Sequence, residues 1–250
     1  MKTKIKICTP GASLEDINIS RRVISDALAG SGIDYDHVWR IGALVFDNRN
    51  RCILDNSGID SYTHILQWDS DIIATAEDVK KLLSHNLPIV SGAARHRQVI
   101  NCFAASPDGE SFLGNDKRGL NKVLWAGAAF LLIQRDVLKN LPRPWFRHVP
   151  NGETQTGEDV GFCLLAGQYG YSIFVDCDVR VEHLTNRSEL RRRIMSSAKE
   201  NERVSETSVE AVECQIMRLV SELQRQIYYY SDEVRRLLVE NERLKKLIKS

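Results

Sequence analysis

No two of the six cysteines (Cys8, Cys52, Cys102, Cys163, Cys177, Cys214) stand in a C-x-x-C pair, and their scatter matches neither a metal knuckle nor a disulfide framework. Reduced thiols and a cytoplasmic setting are the expectation. The start MKTKIKICTPG enters a strand-like alternation without the apolar region of a signal peptide. The longest apolar run, residues 123–133, is too short for a membrane span and contains glycine, so no transmembrane segment is expected. Charge of one sign is also missing. The formal net charge is +1, which excludes bulk attraction to nucleic acid or membrane and leaves only a local patch to do such work. What is present is an apolar fraction of 43% in 250 residues, enough for one large domain or one domain with an appendage.

Apolar alternation over residues 5–9 predicts a first strand that ends in the turn Pro10-Gly11, and residues 13–29 predict a helix closing at Gly30. A second strand is expected over 37–45, a short helix over 48–56 and a strand over 64–68. A helix over 75–84 should carry a capping-box variant from Thr75 to Asp78. Residues 89–92 read as a strand, and the segment to about 122 as irregular, with Pro107-Asp108-Gly109 as a turn. A strand over 125–134, a short helix over 135–140, a loop over 142–150, a helix over 158–167 and strands over 171–175 and 179–183 complete the pattern. Strands alternating with helices predict an α/β domain with a mostly parallel sheet, flanked by helices, that binds ligands beyond the carboxyl ends of its strands.

From Arg187 onward glycine and proline vanish and charges crowd a helical pattern, which divides the chain into residues 1–186 and a second module, 187–250. Val209, Ile216, Leu223, Tyr230, Leu237 and Leu244 repeat every seven residues, with Val220, Ile227, Val234, Asn241 and Ile248 interleaved. β-Branched residues at a, leucine at several d positions and a single Asn at a favour a parallel two-stranded coiled coil, hence a homodimer through residues 209–248.

The stretch THILQWDSDI places Asp69 and Asp71 on one face at the end of a buried-looking strand, where two like charges repel unless something positive sits between them. A D-x-D triplet alone also arises as a solvated strand end or helix cap. At a ligand crevice its oxygens can hold a hard divalent ion that neutralises a diphosphate. Glu158 and Asp159 open a predicted helix. They complement its dipole, or one of them acts as a general base. His183 closes the last strand, and an imidazole beside two aspartates suits a third metal ligand.

A strand ending in D-x-D, then W-x-G-x-x-F (Trp125, Gly127, Phe130), then G-E-D at a helix start, then a strand ending in His, in this order, resembles the GT-A fold glycosyltransferases, nearest to small family 2-like viral or bacterial members. The similarity covers residues 1 to about 185. It implies transfer of a sugar from a nucleoside-diphosphate sugar to an acceptor hydroxyl, with Mn2+ or Mg2+ on the diphosphate. Thr9, Pro10, Gly11, Arg49, Asp69, Trp125 and Gly127 would lie along the donor. Asp69, Asp71 and His183 would form the metal shell, and Asp159, with Glu158 as competitor, would be the base of an inverting enzyme. Arg49-Asn50 resembles the Arg-Asn pair that precedes D-x-D in relatives. The loop over residues 143–156 resembles a mobile acceptor-side lid, Trp125 is expected in the core, and Trp145 is open between core and lid.

Two features depart from the family. Gln67-Trp68 stands where relatives carry small or apolar residues, and the absence of Q-x-x-R-W argues against processive synthesis. A nucleotidyltransferase is the second reading, although CTPGAS lacks its G-x-G-x-R loop. A non-catalytic coiled-coil scaffold is the third. Arg187, Arg191, Arg192 and Arg193 form a basic cluster that would suit a hydroxymethylated DNA acceptor or serve as a solvated helix face. Glycan, protein and lipid-linked acceptors stand beside it.

Overall fold

Strand β1 (Ile5–Gly11) is buried along its whole length, and the chain leaves it through Ser13, whose hydroxyl caps helix α1 (Leu14–Leu28) by accepting from the Asp16 N–H. The computed structural model describes residues 2–55, 58–94, 101–109, 112–114, 116–152 and 154–183. The predicted coiled coil over 209–248 and the arginine cluster at 187–193 lie outside the described residues.

The remaining elements are β2 (Tyr35–Ile41), α2 (Val45–Leu54), β3 (His64–Trp68), β4 (Ile72–Ile73), α3 (Ala76–Ser84), β5 (Ile89–Ala94), β6 (Asn101–Ala105), β7 (Phe112–Gly114), β8 (Leu120–Val123), β9 (Trp125–Ala126), β10 (Phe130–Gln134), α4 (Arg135–Asn140), β11 (Pro150–Asn151), β12 (Thr154–Gln155), α5 (Glu158–Gln168) and β13 (Ile173–His183). The capping box at Thr75 and Asp78 forms as expected.

An eight-stranded sheet runs in the order β2-β1-β3-β10-β5-β13-β4, with β8 also on β13. It is mixed rather than mostly parallel: β1 pairs parallel with β2 and β3, and β5 with β13, but β10 lies antiparallel to both β3 and β5, and β13 is antiparallel to β4 and β8. A large sheet with helices on both faces is consistent with the GT-A-like arrangement that the resemblance implies. Ile24 and Leu28 of α1 and Val79 and Leu82 of α3 pack on one face with Ile5, Ile7, Leu66, Trp68 and Phe130. Cys52 and Ile53 of α2, Leu138 of α4 and Phe162 and Leu165 of α5 cover the other, with Cys8, Ile65 and Ile133. Each large apolar side chain so buried contributes about 1.5–3 kcal/mol.

Three expected elements change form. The single strand over 125–134 breaks at Gly127, because β9 pairs with β6 in a small separate sheet while β10 enters the central one. The strands expected over 171–175 and 179–183 are one strand, β13, which starts at Ile173 and whose register against β5 shifts between Asp176 and Arg180. The segment after β5, read as irregular, supplies β6, β7 and β8. The second strand ends at Ile41, and α2 begins at Val45. Among the described residues no helix is long and apolar enough to cross a membrane.

Candidate functional site

The carboxyl ends of β1 and β3 lie side by side, since Ile5 to Cys8 pair in register with His64 to Gln67. Thr9 is fully buried there. Its hydroxyl donates to the Trp68 carbonyl at 2.9 Å, so the His37 ring at 2.8 Å must donate to it through Nε2–H. Burial pushes the His37 pKa down to about 4, aided by Arg21, which keeps the ring neutral for that donation. Pro10 and Gly11 are also buried, and the Gly11 carbonyl accepts from the Gly42 N–H at 3.3 Å.

Past Trp68 the chain turns sharply: Ile72 N–H donates to the Asp69 carbonyl at 3.1 Å, and the Trp68 indole donates to the Ile72 carbonyl at 3.0 Å. The tryptophan that departs from the family pattern therefore closes the D-x-D turn. Beyond it, β4 pairs antiparallel with the end of β13, setting Ile72 opposite His183. That register brings His183 Nε2 to 2.9 Å from the Asp71 carboxylate at the partly exposed rim.

Asp69 has a different partner. Arg49, on the second turn of α2 and almost fully buried, meets both its oxygens, Nη1 at 2.7 Å and Nη2 at 3.0 Å. Its Nε donates to Glu158 at 3.1 Å, and Nη1 also reaches Gln67 Oε1 and the Ala128 carbonyl. Burial opposes the charge on Arg49, but the two carboxylates hold its pKa above the ordinary value. Burial raises the Asp69 pKa against the pull of Arg49, with Asp71 and Glu158 adding to the rise. The positive group that the D-x-D spacing asks for is thus, at Asp69, an arginine.

Gln67, the other departure from the family, is fully buried beneath this guanidinium. Because its oxygen accepts from Arg49, its Nε2 is left without a hydrogen-bond partner among the described residues. Periodicity gives no sign of that role, since it depends on a partner 18 residues away in sequence.

Asn50, beside Arg49, works on the loop that leads to α5. Its Oδ1 accepts from the Trp145 and Phe146 N–H groups at 3.0 and 3.1 Å, and its Nδ2 donates to the Phe146 carbonyl at 2.8 Å. Trp145 is accordingly a core residue, with its indole on the Leu138 carbonyl at 2.9 Å. At Gly161 in α5 a Cβ would lie 1.8 Å from the Arg147 carbonyl oxygen, so the loop crosses the helix where a side chain would stand. The expected lid is pinned at its base, and the short hairpin of β11 and β12 projects from it.

Glu158 and Asp159 occupy the first turn of α5, as expected. Burial raises the Asp159 pKa, and Glu158 adds to the rise, against the Val160 N–H at 2.8 Å. The pair is therefore divided: Glu158 is tied to Arg49, and Asp159 is not. Trp125, expected in the core, is half-buried in a surface cluster with Phe103 and Phe112, its ring 5.2 and 5.7 Å from theirs. Gly127 lies under Phe103, whose ring would stand 2.7 Å from a Cβ there. The following residues reach the site, where the Ala128 carbonyl accepts from Arg49 and that of Ala129 from the Asp69 N–H.

Among the described residues no group of three or more His, Cys, Asp or Glu side chains is gathered around a metal position. Asp71 and His183 form a pair, and both oxygens of Asp69 are engaged by Arg49.

No protein-family model matches the chain, and no curated protein matches it in sequence. Among solved structures, the crystal structure of A197 from STIV is similar with a TM-score of 0.53 at 16% identity, covering 74% of this chain and 87% of that one. A Drosophila β-1,4-galactosyltransferase 7 mutant, in complex with manganese, UDP-Gal and xylobiose, follows with 0.46 at 12% identity over 75% and 73%. A glycosyltransferase involved in glycosylation of the major capsid of PBCV-1 gives 0.43 at 12% over 77% and 98%. The likeness to the STIV protein is one of fold.

Proposed function

We propose that the chain is a metal-dependent, inverting glycosyltransferase that moves a sugar from a nucleoside-diphosphate sugar to an acceptor hydroxyl. The observation that carries this reading is the meeting of the two acidic motifs through Arg49, which ties Asp69 of D-x-D to Glu158 of the G-E-D helix start. The motifs whose order resembles the GT-A enzymes are thereby joined at the carboxyl edge of the sheet, where α/β folds bind ligands.

The electrostatics favour a cation. Asp71 and Glu158 raise the Asp69 pKa, Glu158 raises that of Asp159, and the single charge of Arg49 is shared between Asp69 and Glu158, so the four carboxylates outnumber it. A diphosphate would be repelled by that excess. Asp71 would offer Mn2+ or Mg2+ the carboxylate through which such ions bind while phosphate oxygens and water complete the shell, and His183, 2.9 Å away, would be the further ligand. A bound ion would stabilise the charge of the leaving diphosphate.

The chain's own residues divide the remaining work. Arg49, buried and bonded to both, positions Asp69 and Glu158 and so sets the spacing between the two motifs. Asp159 takes the acceptor's proton as the hydroxyl oxygen bonds to the anomeric carbon. The bond to the diphosphate oxygen breaks, and the nucleoside diphosphate leaves with the electron pair. Thr9, Pro10 and Gly11 line the nucleoside end. The heptads over 209–248 make a parallel dimer, and a chain truncated after residue 205 that still dimerises in light scattering would refute that. Acceptors remain those named from sequence, DNA through Arg187, Arg191, Arg192 and Arg193 among them.

The test is thermal-shift titration with UDP, GDP, CDP and TDP sugars, each with manganese and with a chelator. Stabilisation by one donor, present only with metal and lost in Asp71→Ala, is the expected result. A chain indifferent to every donor, or an Asp71→Ala variant with unchanged manganese-dependent affinity, counts against the reading.

A further inference from the structure

We propose that the loop between β2 and α2 docks the chain on an anionic phospholipid bilayer. Its apolar tip enters the boundary between headgroups and acyl chains, and arginines of the neighbouring loop meet the headgroup phosphates. Docking needs neither a donor nor a transfer step, so the inference stands apart from the glycosyl-transfer reading.

The segment Ile41-Gly42-Ala43-Leu44-Val45-Phe46 carries no polar side chain. Its first five residues are all exposed, Ile41 to 37%, Leu44 to 57% and Val45 to 42%. A lone exposed leucine is ordinary on a protein surface, but an apolar run with three large aliphatic side chains in the open marks an interaction site. Helix chemistry makes the same point. Leu44 is the N-cap of α2 and makes no side-chain cap hydrogen bond, at a position where Ser, Thr, Asp or Asn would satisfy a free N–H. Leu44 is thus neither buried nor a cap, and a residue that breaks both local rules points to a partner.

The loop is held in place from both sides. The Gly42 N–H donates to the Gly11 carbonyl at 3.3 Å, and the Gly42 carbonyl accepts from Asn48 Nδ2 at 3.1 Å. Since Gly11 ends β1, the first of these bonds also fixes the tip at the carboxyl edge of the sheet.

Charge selects the occupant. Phe46 meets the His148 ring with centroids 5.2 Å apart, and Asn50 of α2 accepts from the Trp145 and Phe146 N–H groups, so the loop around these residues is the tip's neighbour. Residues 141–152 carry two arginines, Arg143 and Arg147, and no carboxylate, and Arg143 is exposed. The acid that follows the tip, Asp47, is paired with Arg51 at 2.7 Å. An apolar tip flanked by arginines without acids complements anionic headgroups above acyl chains. A purely apolar protein surface would leave the arginines unanswered.

The experiment is co-sedimentation of the full chain with phosphatidylcholine vesicles, made with and without phosphatidylserine. The wild type should sediment with the anionic vesicles and far less with the neutral ones. Leu44→Asp should lower the partition coefficient at least about tenfold, the worth of one leucine withdrawn from lipid. It should melt no lower than the wild type, because aspartate suits an N-cap. Val45→Asp, an acid in the first helical turn, is the second variant and should behave alike. Arg143→Gln should cost about fivefold, on anionic vesicles only. A wild type that stays in the supernatant with both kinds of vesicle, or anionic binding that the two aspartate variants retain in full, overturns the inference.

Discussion

Arg49 and Asp69 meet fork to fork, two nitrogens on two oxygens at 2.7 and 3.0 Å, although 20 residues separate them in the chain. The pair sits where the sheet's carboxyl edge would otherwise expose an uncompensated carboxylate, and Glu158 closes it on the third side.

Removing the arginine should therefore cost far more than a surface ion pair does. Arg49→Ala leaves Asp69 and Glu158 largely buried without their partner and is expected to cost about 3–5 kcal/mol in urea denaturation. Arg49→Lys should recover only part of that, because an ammonium cannot serve Asp69 with a fork and Glu158 at once. A loss under about 1 kcal/mol for the alanine variant would mean that the site relaxes open.

Asp159→Asn should retain metal-dependent donor binding while transfer falls about 10²- to 10⁴-fold, the usual worth of a positioned base. The same variant should melt higher at neutral pH. A carboxyl whose folded pKa is raised favours folding below its unfolded pKa and loses that advantage as pH rises through the folded value, so at neutral pH its charge is a burden. For the same reason the acid limb of the wild-type rate profile, where the base ionises and the rate rises, should lie above the ordinary carboxylate range. Full activity in the asparagine variant would remove Asp159 as base.

Gly161→Ala inverts a familiar rule. In an exposed helix interior the change gains roughly 1 kcal/mol, but here the new Cβ would meet the Arg147 carbonyl at 1.8 Å. The expected result is a loss of about 1–3 kcal/mol, the range for overpacking, together with faster amide exchange at Trp145 and Phe146 as the loop lifts from Asn50. A more stable variant with unchanged exchange would show that the loop is not pinned there.

The places of the candidate residues were legible before any fold was known, because they lie at element ends that carry local signals. The Thr75 and Asp78 cap, D-x-D after an apolar run, Glu158-Asp159 at a helix start and His183 closing a strand are each patterns of a few residues. Gln67 and Asn50 were not legible as partners, since a buried glutamine and a helical asparagine have no periodic signature.

The sequence by itself determined the α/β class, most element positions and the order of the acidic motifs, since these follow from hydrophobic periodicity and caps acting over a few residues. Only the tertiary structure decided that β10 runs antiparallel between β3 and β5, that the strand over 173–183 is continuous, and that Arg49 is a buried tie between two motifs. Those outcomes depend on which strand edges and charges meet across spans of 18 to 109 residues, and local propensity holds no record of partners that distant.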